Sequence, residues 1–311
     1  VSRPNQFFAH VWLPSKDAVR EVFTFEYNKE SEDFISAEGH LCNFYPWSAS
    51  THFLLVQTET AEIKFIELLE KSIAELKQDQ LKKVVLSRVC HVNHHLKKME
   101  DIIASIAQLY PQSLVYHLNH PKYGEWIGAT PELLFSREGD EIETMALAGT
   151  LPKESSAEWS EKLLEEHEYV AHDVIHTFEG LGAKLSNRIG PIERHVGPVK
   201  HLESRFTFRS GASNELLASS LHPTSAVCGY PREIAAQWIM SNETHERRLY
   251  CGLISIRKEN SCFYYVNLRC GQVFNDHLEL YAGVGITRHS ESNEEWQETE
   301  RKLETIAQFF K

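Results

Sequence analysis

Strand-forming runs and amphipathic helical stretches follow one another along these 311 residues without regular alternation, and that order limits the fold more than any other feature. Short β-prone runs come first, at Phe7 to Leu13, Val22 to Tyr27 and His52 to Glu59. Ala61 to Leu81 repeats apolar residues at helical spacing, with Ile63, Ile66, Leu69, Ile73 and Leu76 on one side. Beyond it the pattern predicts a strand at Lys82 to Val89, a helix at Met99 to Leu109 and a strand at Ser113 to Leu118. Later helices are expected at Trp159 to Phe178 and Arg232 to Met240, and later strands at Cys251 to Arg257 and Tyr264 to Cys270. A doubly wound parallel sheet needs strands and helices in strict alternation. The mixed order predicts an α+β chain instead. No repeat or low-complexity linker divides it, so residues 1–311 read as a single domain.

Composition excludes several function classes. A net charge of −12 without a basic stripe argues against a nucleic-acid surface. No apolar run reaches transmembrane length. Val1-Ser2-Arg3-Pro4 lacks the apolar core of a signal peptide, so a cytoplasmic location is expected. The six cysteines (Cys42, Cys90, Cys228, Cys251, Cys262 and Cys270) have no Cys-x-x-Cys spacing, which indicates neither a zinc site nor a disulfide framework. They are expected to be small buried hydrophobes.

The candidate chemistry lies from Lys83 onward. In Lys82 to Val89, alternation puts Lys83 on the face of Val85, Ser87 and Val89. A lysine at a strand start is ordinarily solvent-facing. Held among apolar neighbours, it would instead be a candidate base with a lowered pKa. Glu132 sits where a turn meets the apolar strand Leu133-Leu134-Phe135, and with a neutral lysine it could form an acid–base couple. Ala146 to Thr150 brings a glycine and a hydroxyl to a strand end. On the helix Trp159 to Phe178, Glu166 falls within the apolar line Leu163, Val170, Val174 and Phe178. A carboxylate on a buried face needs a partner or a metal. His167-Glu168 with His172 is not His-Glu-x-x-His, because the second histidine comes five residues on.

Near the C-terminus, Arg269 could clamp a carboxylate in bidentate fashion. Tyr281 to Ile286 reads as a Gly-x-Gly turn through Gly283 and Gly285 at a strand end, without the third glycine of a dinucleotide fingerprint. On the acidic helix that follows, Glu295, Glu298 and Lys302 share one side, beside the stripe Trp296, Leu303, Ile306 and Phe310. A solvated acidic face is the ordinary reading of such a helix. Two carboxylates edging a buried stripe also suit a hard cation that holds an anionic ligand.

Taken together, these segments resemble the chorismate-utilising enzymes: isochorismate synthase, salicylate synthase, and the large subunits of anthranilate and aminodeoxychorismate synthases. The matching pieces are Lys83 to Leu86, Gly128 to Leu133, Leu147 to Thr150, Glu166-His167 and Val199 to Leu202. His222-Pro223-Thr224 to Gly229, Arg269-Cys270, Tyr281 to Ile286 and Glu295 to Lys302 complete them in family order, over roughly residues 80 to 311.

The resemblance implies antiparallel sheets in a sandwich with helices outside and the active site in a cleft between halves. It implies a magnesium ion on Glu166, Glu295 and Glu298 that holds the ring carboxylate of chorismate. Thr150, His222, Tyr250, Arg269, Gly283, Gly285 and Lys302 would bind the substrate. Lys83 matches the general base that activates water, and Glu132 the general acid that protonates the departing hydroxyl. Ala148 stands where common aminodeoxychorismate synthases carry a nucleophilic lysine, and Ala226 where anthranilate and salicylate synthases usually carry a threonine. Both favour isochorismate synthase. Menaquinone is the expected pathway, and the resemblance implies a monomer. Salicylate synthase, and a non-catalytic chorismate binder, remain the alternatives.

Overall fold

A computed structural model of the chain describes residues 7–14, 21–47, 53–78, 80–93 and 98–311. The chain opens with β1 (Phe8–Trp12), β2 (Val22–Tyr27), β3 (Phe34–Ser36) and β4 (Leu41–Tyr45), then α1 (Glu62–Leu76). Next come β5 (Lys83–Asn93), α2 (Met99–Leu109), β6 (Leu114–His120), β7 (Gly124–Thr130), β8 (Leu133–Glu138) and β9 (Glu141–Pro152). They are followed by α3 (Glu161–Gly180), β10 (Lys184–Val196), β11 (Val199–Arg209), α4 (Asn214–Leu221), β12 (Gly229–Tyr230) and α5 (Arg232–Asn242). β13 (Leu253–Arg257), β14 (Ser261–Val266), β15 (Cys270–Val273), β16 (His277–Ile286) and α6 (Ser292–Ala307) close the chain.

The strands are hydrogen-bonded in the order β10-β11-β9-β8-β14-β13-β4-β3-β2-β1-β6-β7-β15-β16-β5-β12. Every pair is antiparallel. The run divides into two eight-stranded sheets. Their faces share the largest core cluster, which joins Val11, Tyr116, Trp126 and Tyr281 of one sheet to Phe135, Phe206, Ile254 and Tyr264 of the other. The expected α+β sandwich is the observed architecture.

Helices cover the outer faces because each has one apolar stripe to bury. α2 and α6 pack Ile103, Ile106, Leu303 and Ile306 on Ile127 and Leu280. α1 and α5 pack Phe65, Leu69, Ala235 and Ile239 on Val84, Leu86 and Val284. α3 begins at Ser160, whose side chain accepts from Leu163 N, and buries Leu163, Val170, Val174 and Phe178 as its period predicts. α6 is acidic, yet Trp296, Leu303, Ile306 and Phe310 are buried. At about 1.5–3 kcal/mol for each large apolar side chain, that stripe is enough to dock the helix.

Several local expectations are corrected. α1 buries Phe65, Leu69, Ser72 and Leu76, whereas Ile63 is 73% exposed, so the buried stripe is rotated from the isoleucine side. Residues 53–60 form a turn and irregular chain rather than the strand expected at His52 to Glu59, and His52 itself lies outside the described residues, as does Val1 to Pro4. Tyr264 to Cys270 is not one strand: β14 ends at Val266 and β15 starts at Cys270. Gly283 and Gly285 lie inside β16, opposite Ser87 and Val85 of β5, and not in a turn. No helix among the described residues is long and apolar enough to cross a membrane. The six cysteines are free, five of them buried and Cys90 half-buried.

Candidate active site

The two sheets and two of their helices line a cavity that opens to solvent. β5 and β16 form one wall, and β9, β11 and the β7–β8 connection form the other. Glu132, Thr150, Glu166, Tyr250, Arg269, Gly283, Gly285 and Lys302 all line it. These residues come from widely separated parts of the sequence, and sheet register brings them together.

Lys83 enters from the first position of β5 and is completely buried, contrary to the solvent-facing reading of a strand-start lysine. Its Nζ makes no hydrogen bond and lies 3.2 Å from Glu166 Oε1. The strand glycines make this approach possible. A Cβ on Gly285 would collide with Glu166 Oε1 and come within 3.0 Å of Lys83 Cε. A Cβ on Gly283 would stand 2.5 Å from Tyr250 Oη. The glycines therefore act by leaving room for side chains that cross β16.

Glu132 is buried between β7 and β8. Burial pushes its carboxyl up to about 7, with Lys83 pulling the other way. Near neutrality the group can hold or release a proton, which is the condition for an acid catalyst.

The three remaining glutamates each meet a lysine. Glu166 faces Lys83, Glu298 Oε1 lies 2.6 Å from Lys302 Nζ, and Glu295 accepts a hydrogen bond from Lys162. Burial raises the Glu295 carboxyl, and the charge of Glu298 adds to the rise against the pull of Lys162. Burial also works against Glu298, but Lys302 and then Lys162 outweigh it and hold that carboxyl below its usual range. Lys162 is itself desolvated, yet Glu295, Glu166 and Glu298 keep its ammonium above the ordinary lysine value. One cation thus already feels all three carboxylates. The donor set fits a hard divalent ion: buried carboxylate oxygens, mutually repelling, with lysines now neutralising them. The three do not converge tightly, as His91, His277 and Glu279 form the one group of three candidate ligand atoms within 4.8 Å among the described residues. An ion that keeps some of its waters can bridge more widely spaced carboxylates.

Arg269 sits in the break between β14 and β15 with φ +48. This left-handed conformation costs a non-glycine residue roughly 1–2 kcal/mol and turns the side chain away from the sheet ladder. The guanidinium is buried, donates to His201 Nε2 (3.1 Å) and Thr305 Oγ1 (3.3 Å), and has no carboxylate partner among the described residues. A buried, unpaired guanidinium beside a cavity is a receptor for an anion. Because arginine can only donate, His201 Nε2 accepts and its Nδ1 carries the proton, which it gives to Gly149 O (3.1 Å). Burial first, then Arg269 and Lys302, push the His201 pKa well down and keep it neutral. Gly149, at φ +74, is the extra residue of a β-bulge where β9 pairs β11. The bulge re-aims Thr150, whose Oγ1 lies 3.2 Å from His201 Nδ1. Lys302 also donates to Gly283 O (2.9 Å), which ties α6 to β16.

Four expected site residues are not part of the cavity wall: Lys83 and Glu298 lie behind it against the lining residues Glu166 and Lys302, Glu295 pairs with Lys162, and His222 stands apart. His222 is half-buried against Trp47, edge-on at 6.0 Å, and neither ring nitrogen has a hydrogen-bond partner. Burial, then Arg232, lowers its pKa to about 4. Two residues were missed. Lys162 stands one turn before Glu166 on α3, and a lysine at i−4 from a buried-face carboxylate is a readable signal. His201 lies in the recognised Val199 to Leu202 segment, but its bond to Arg269 depends on a contact between distant strands.

The chain is similar to several known proteins. Isochorismate synthase MenF of Escherichia coli is 31% identical over 270 residues, covering 80% of this chain and 61% of that protein, so the chain spans less than two thirds of this relative. Isochorismate synthase EntC of Escherichia coli is 28% identical over 278 residues, covering 85% of this chain and 71% of that protein. Among solved structures, the putative 2,3-dihydroxybenzoate-specific isochorismate synthase DhbC from Bacillus anthracis superimposes with a TM-score of 0.75 at 24% identity, over 98% of this chain and 84% of that one. The family model described as chorismate binding enzyme matches residues 14–311, past the cavity on both sides, and the chain belongs to that family.

Proposed function

We propose that the chain is an isochorismate synthase, which interconverts chorismate and isochorismate by adding water at ring carbon 2 and losing the hydroxyl at carbon 4. The observation that carries this reading is a buried lysine, Lys83, set behind the cavity wall against Glu166 and close enough to act on the buried carboxyl of Glu132, which lines the cavity and is pushed up to about 7. Lys83 Nζ, as the neutral amine, takes the proton of the attacking water, and Glu132 gives its proton to the departing hydroxyl, which leaves as water. Arg269, with neutral His201 fixed behind it, receives a substrate carboxylate. Tyr250, Thr150 and Lys302 line the remaining wall, where they orient the ring and exclude bulk water. Glu166, Glu295 and Glu298 would hold Mg²⁺, which would neutralise the ring carboxylate and fix its position. In holding the ion, these glutamates would exchange their present lysine partners, Lys83, Lys162 and Lys302, for it.

Water rather than ammonia is the favoured nucleophile, because Ala148 and Ala226 leave small apolar walls and Lys83 supplies the base. We propose menaquinone formation as the pathway that takes the product. The test is to incubate the protein with chorismate, with and without Mg²⁺, and separate the products. An equilibrating mixture of chorismate and isochorismate, formed only with Mg²⁺, is expected. Salicylate with pyruvate would replace the reading by a salicylate synthase, and bound but unchanged chorismate by a non-catalytic binder.

A further inference from the structure

At the far end of the β5–β16 pair from Lys83, three further side chains meet. His277 and Glu279 are two residues apart on β16 and share a face, and register lays His91 of β5 opposite Glu279. Their ligand atoms all lie within 4.8 Å of one another. Eight residues of β5 separate His91 from Lys83, which at the rise of a strand is ~27 Å.

Each group is prepared as a ligand. Asp276 Oδ1 lies 2.7 Å from His277 Nδ1, so that nitrogen carries the proton and Nε2 is left with its lone pair. Phe274 stacks flat on the same imidazole, 5.0 Å away and tilted by 5°, and fixes the ring. Nε2 of His277 and Nε2 of His91 are both shielded from solvent and make no hydrogen bond. Glu279 is fully buried. Its Oε2 accepts from Arg248 (3.0 Å), while Oε1 accepts from Gln57 N and lies 3.9 Å from His91 Nε2, with a lone pair to spare. The His91 side chain is 26% exposed, which leaves an entry path.

We propose that His91, His277 and Glu279 form a binding site for a borderline divalent cation of the zinc class, separate from the glutamate cluster of the cavity. Two imidazole nitrogens and one carboxylate oxygen are a set that zinc accepts, with water in the fourth position. The oxygen-only glutamates suit a hard ion instead. The bound ion pins β5 to β16 at the end remote from Lys83. Gln57 spans from this site to the cavity wall, because its backbone N–H serves Glu279 while its Nε2 donates to Tyr281 Oη (2.5 Å).

The test uses the untagged full chain, stripped of metal, saturated with Mg²⁺, and titrated with Zn²⁺ and separately with Co²⁺. One equivalent of each is expected to bind, with the visible absorption of a four-coordinate, imidazole-ligated Co²⁺ and a higher Tm. Replacing both histidines (His91→Gln with His277→Gln) should weaken Zn²⁺ binding at least a hundredfold. Asp276→Asn alters only an exposed group that orients His277, so the fold is kept, and it should weaken binding tenfold or more. Stoichiometric binding that survives the double substitution would move the ion to the glutamate cluster and overturn the proposal. Failure of the parent chain to bind Zn²⁺ would overturn it too, and would leave His91 as a plain partner of Glu279.

Discussion

Glu132 is where burial acts most directly on the proposed chemistry. Its carboxyl is raised from the usual carboxylate range to about 7, so the proton-donating form persists up to that pH and is lost above it. Conversion of chorismate should therefore fall by about tenfold per pH unit well above 7. Glu132→Gln should lose about 10²–10⁴ in turnover and remove that limb of the pH–rate profile. A profile unchanged in shape would take Glu132 out of the acid role. Lys83→Ala is expected to abolish water addition while Mg²⁺-dependent chorismate binding, followed by calorimetry, stays largely intact. Unchanged turnover would sink the base assignment. Both residues were legible in the sequence as candidates, through the alternation of β5 and the turn before β8. The complete burial of Lys83 was not, because it depends on β12, β16 and α3 closing around the strand start.

At the scale of elements, α6 is the piece that carries two of the three proposed metal ligands, beside the cavity-lining Lys302. Arg88 of β5 holds it: Nε donates to Thr299 Oγ1 (2.7 Å), Nη2 pairs with Glu300, and the guanidinium lies 3.8 Å over the Trp296 ring. Arg88→Ala removes a charged hydrogen bond and a cation–π contact, at a cost of about 2–3 kcal/mol. That corresponds to roughly 5 °C in Tm, together with a higher Mg²⁺ concentration for half-activation, because Glu295 and Glu298 ride on the loosened helix. A thermal scan and an Mg²⁺ titration check the two effects. Glu298→Gln should weaken the metal requirement and substrate binding together, and a normal Mg²⁺ dependence would remove it from the site. Periodicity read α3 and α6 correctly because their apolar lines are continuous. It misread α1, where Phe65 and Ser72 take the buried side and Ile63 faces solvent. Gly283 and Gly285 were misread as a turn. In sequence a glycine pair looks the same whether the chain reverses or a neighbour must pass close, and here Glu166 and Tyr250 pass close.

Over the whole molecule, the two sheets share one core and the cavity draws a wall from each. If residues 1–311 fold as one domain, calorimetry and fluorescence should report the same single unfolding transition. Chorismate and Mg²⁺ bound together at a hundredfold excess over their dissociation constant should add about 2.7 kcal/mol to that one transition. Two transitions, of which only one moves with ligand, would divide the chain.

The sequence alone determined the α+β class, the helical faces that bury Glu166, Glu295 and Glu298, and the family resemblance. All three rest on local period or on short segments in order, which a single chain displays directly. Tertiary structure alone decided that Lys162 stands among those carboxylates, that the break at Arg269 aims an unpaired guanidinium at the cavity, and that His222 packs on Trp47 outside it. It also decided the meeting of His91 with His277 and Glu279. Strand register and sheet-on-sheet packing fix these encounters, and both join residues too far apart in sequence for any local pattern to record.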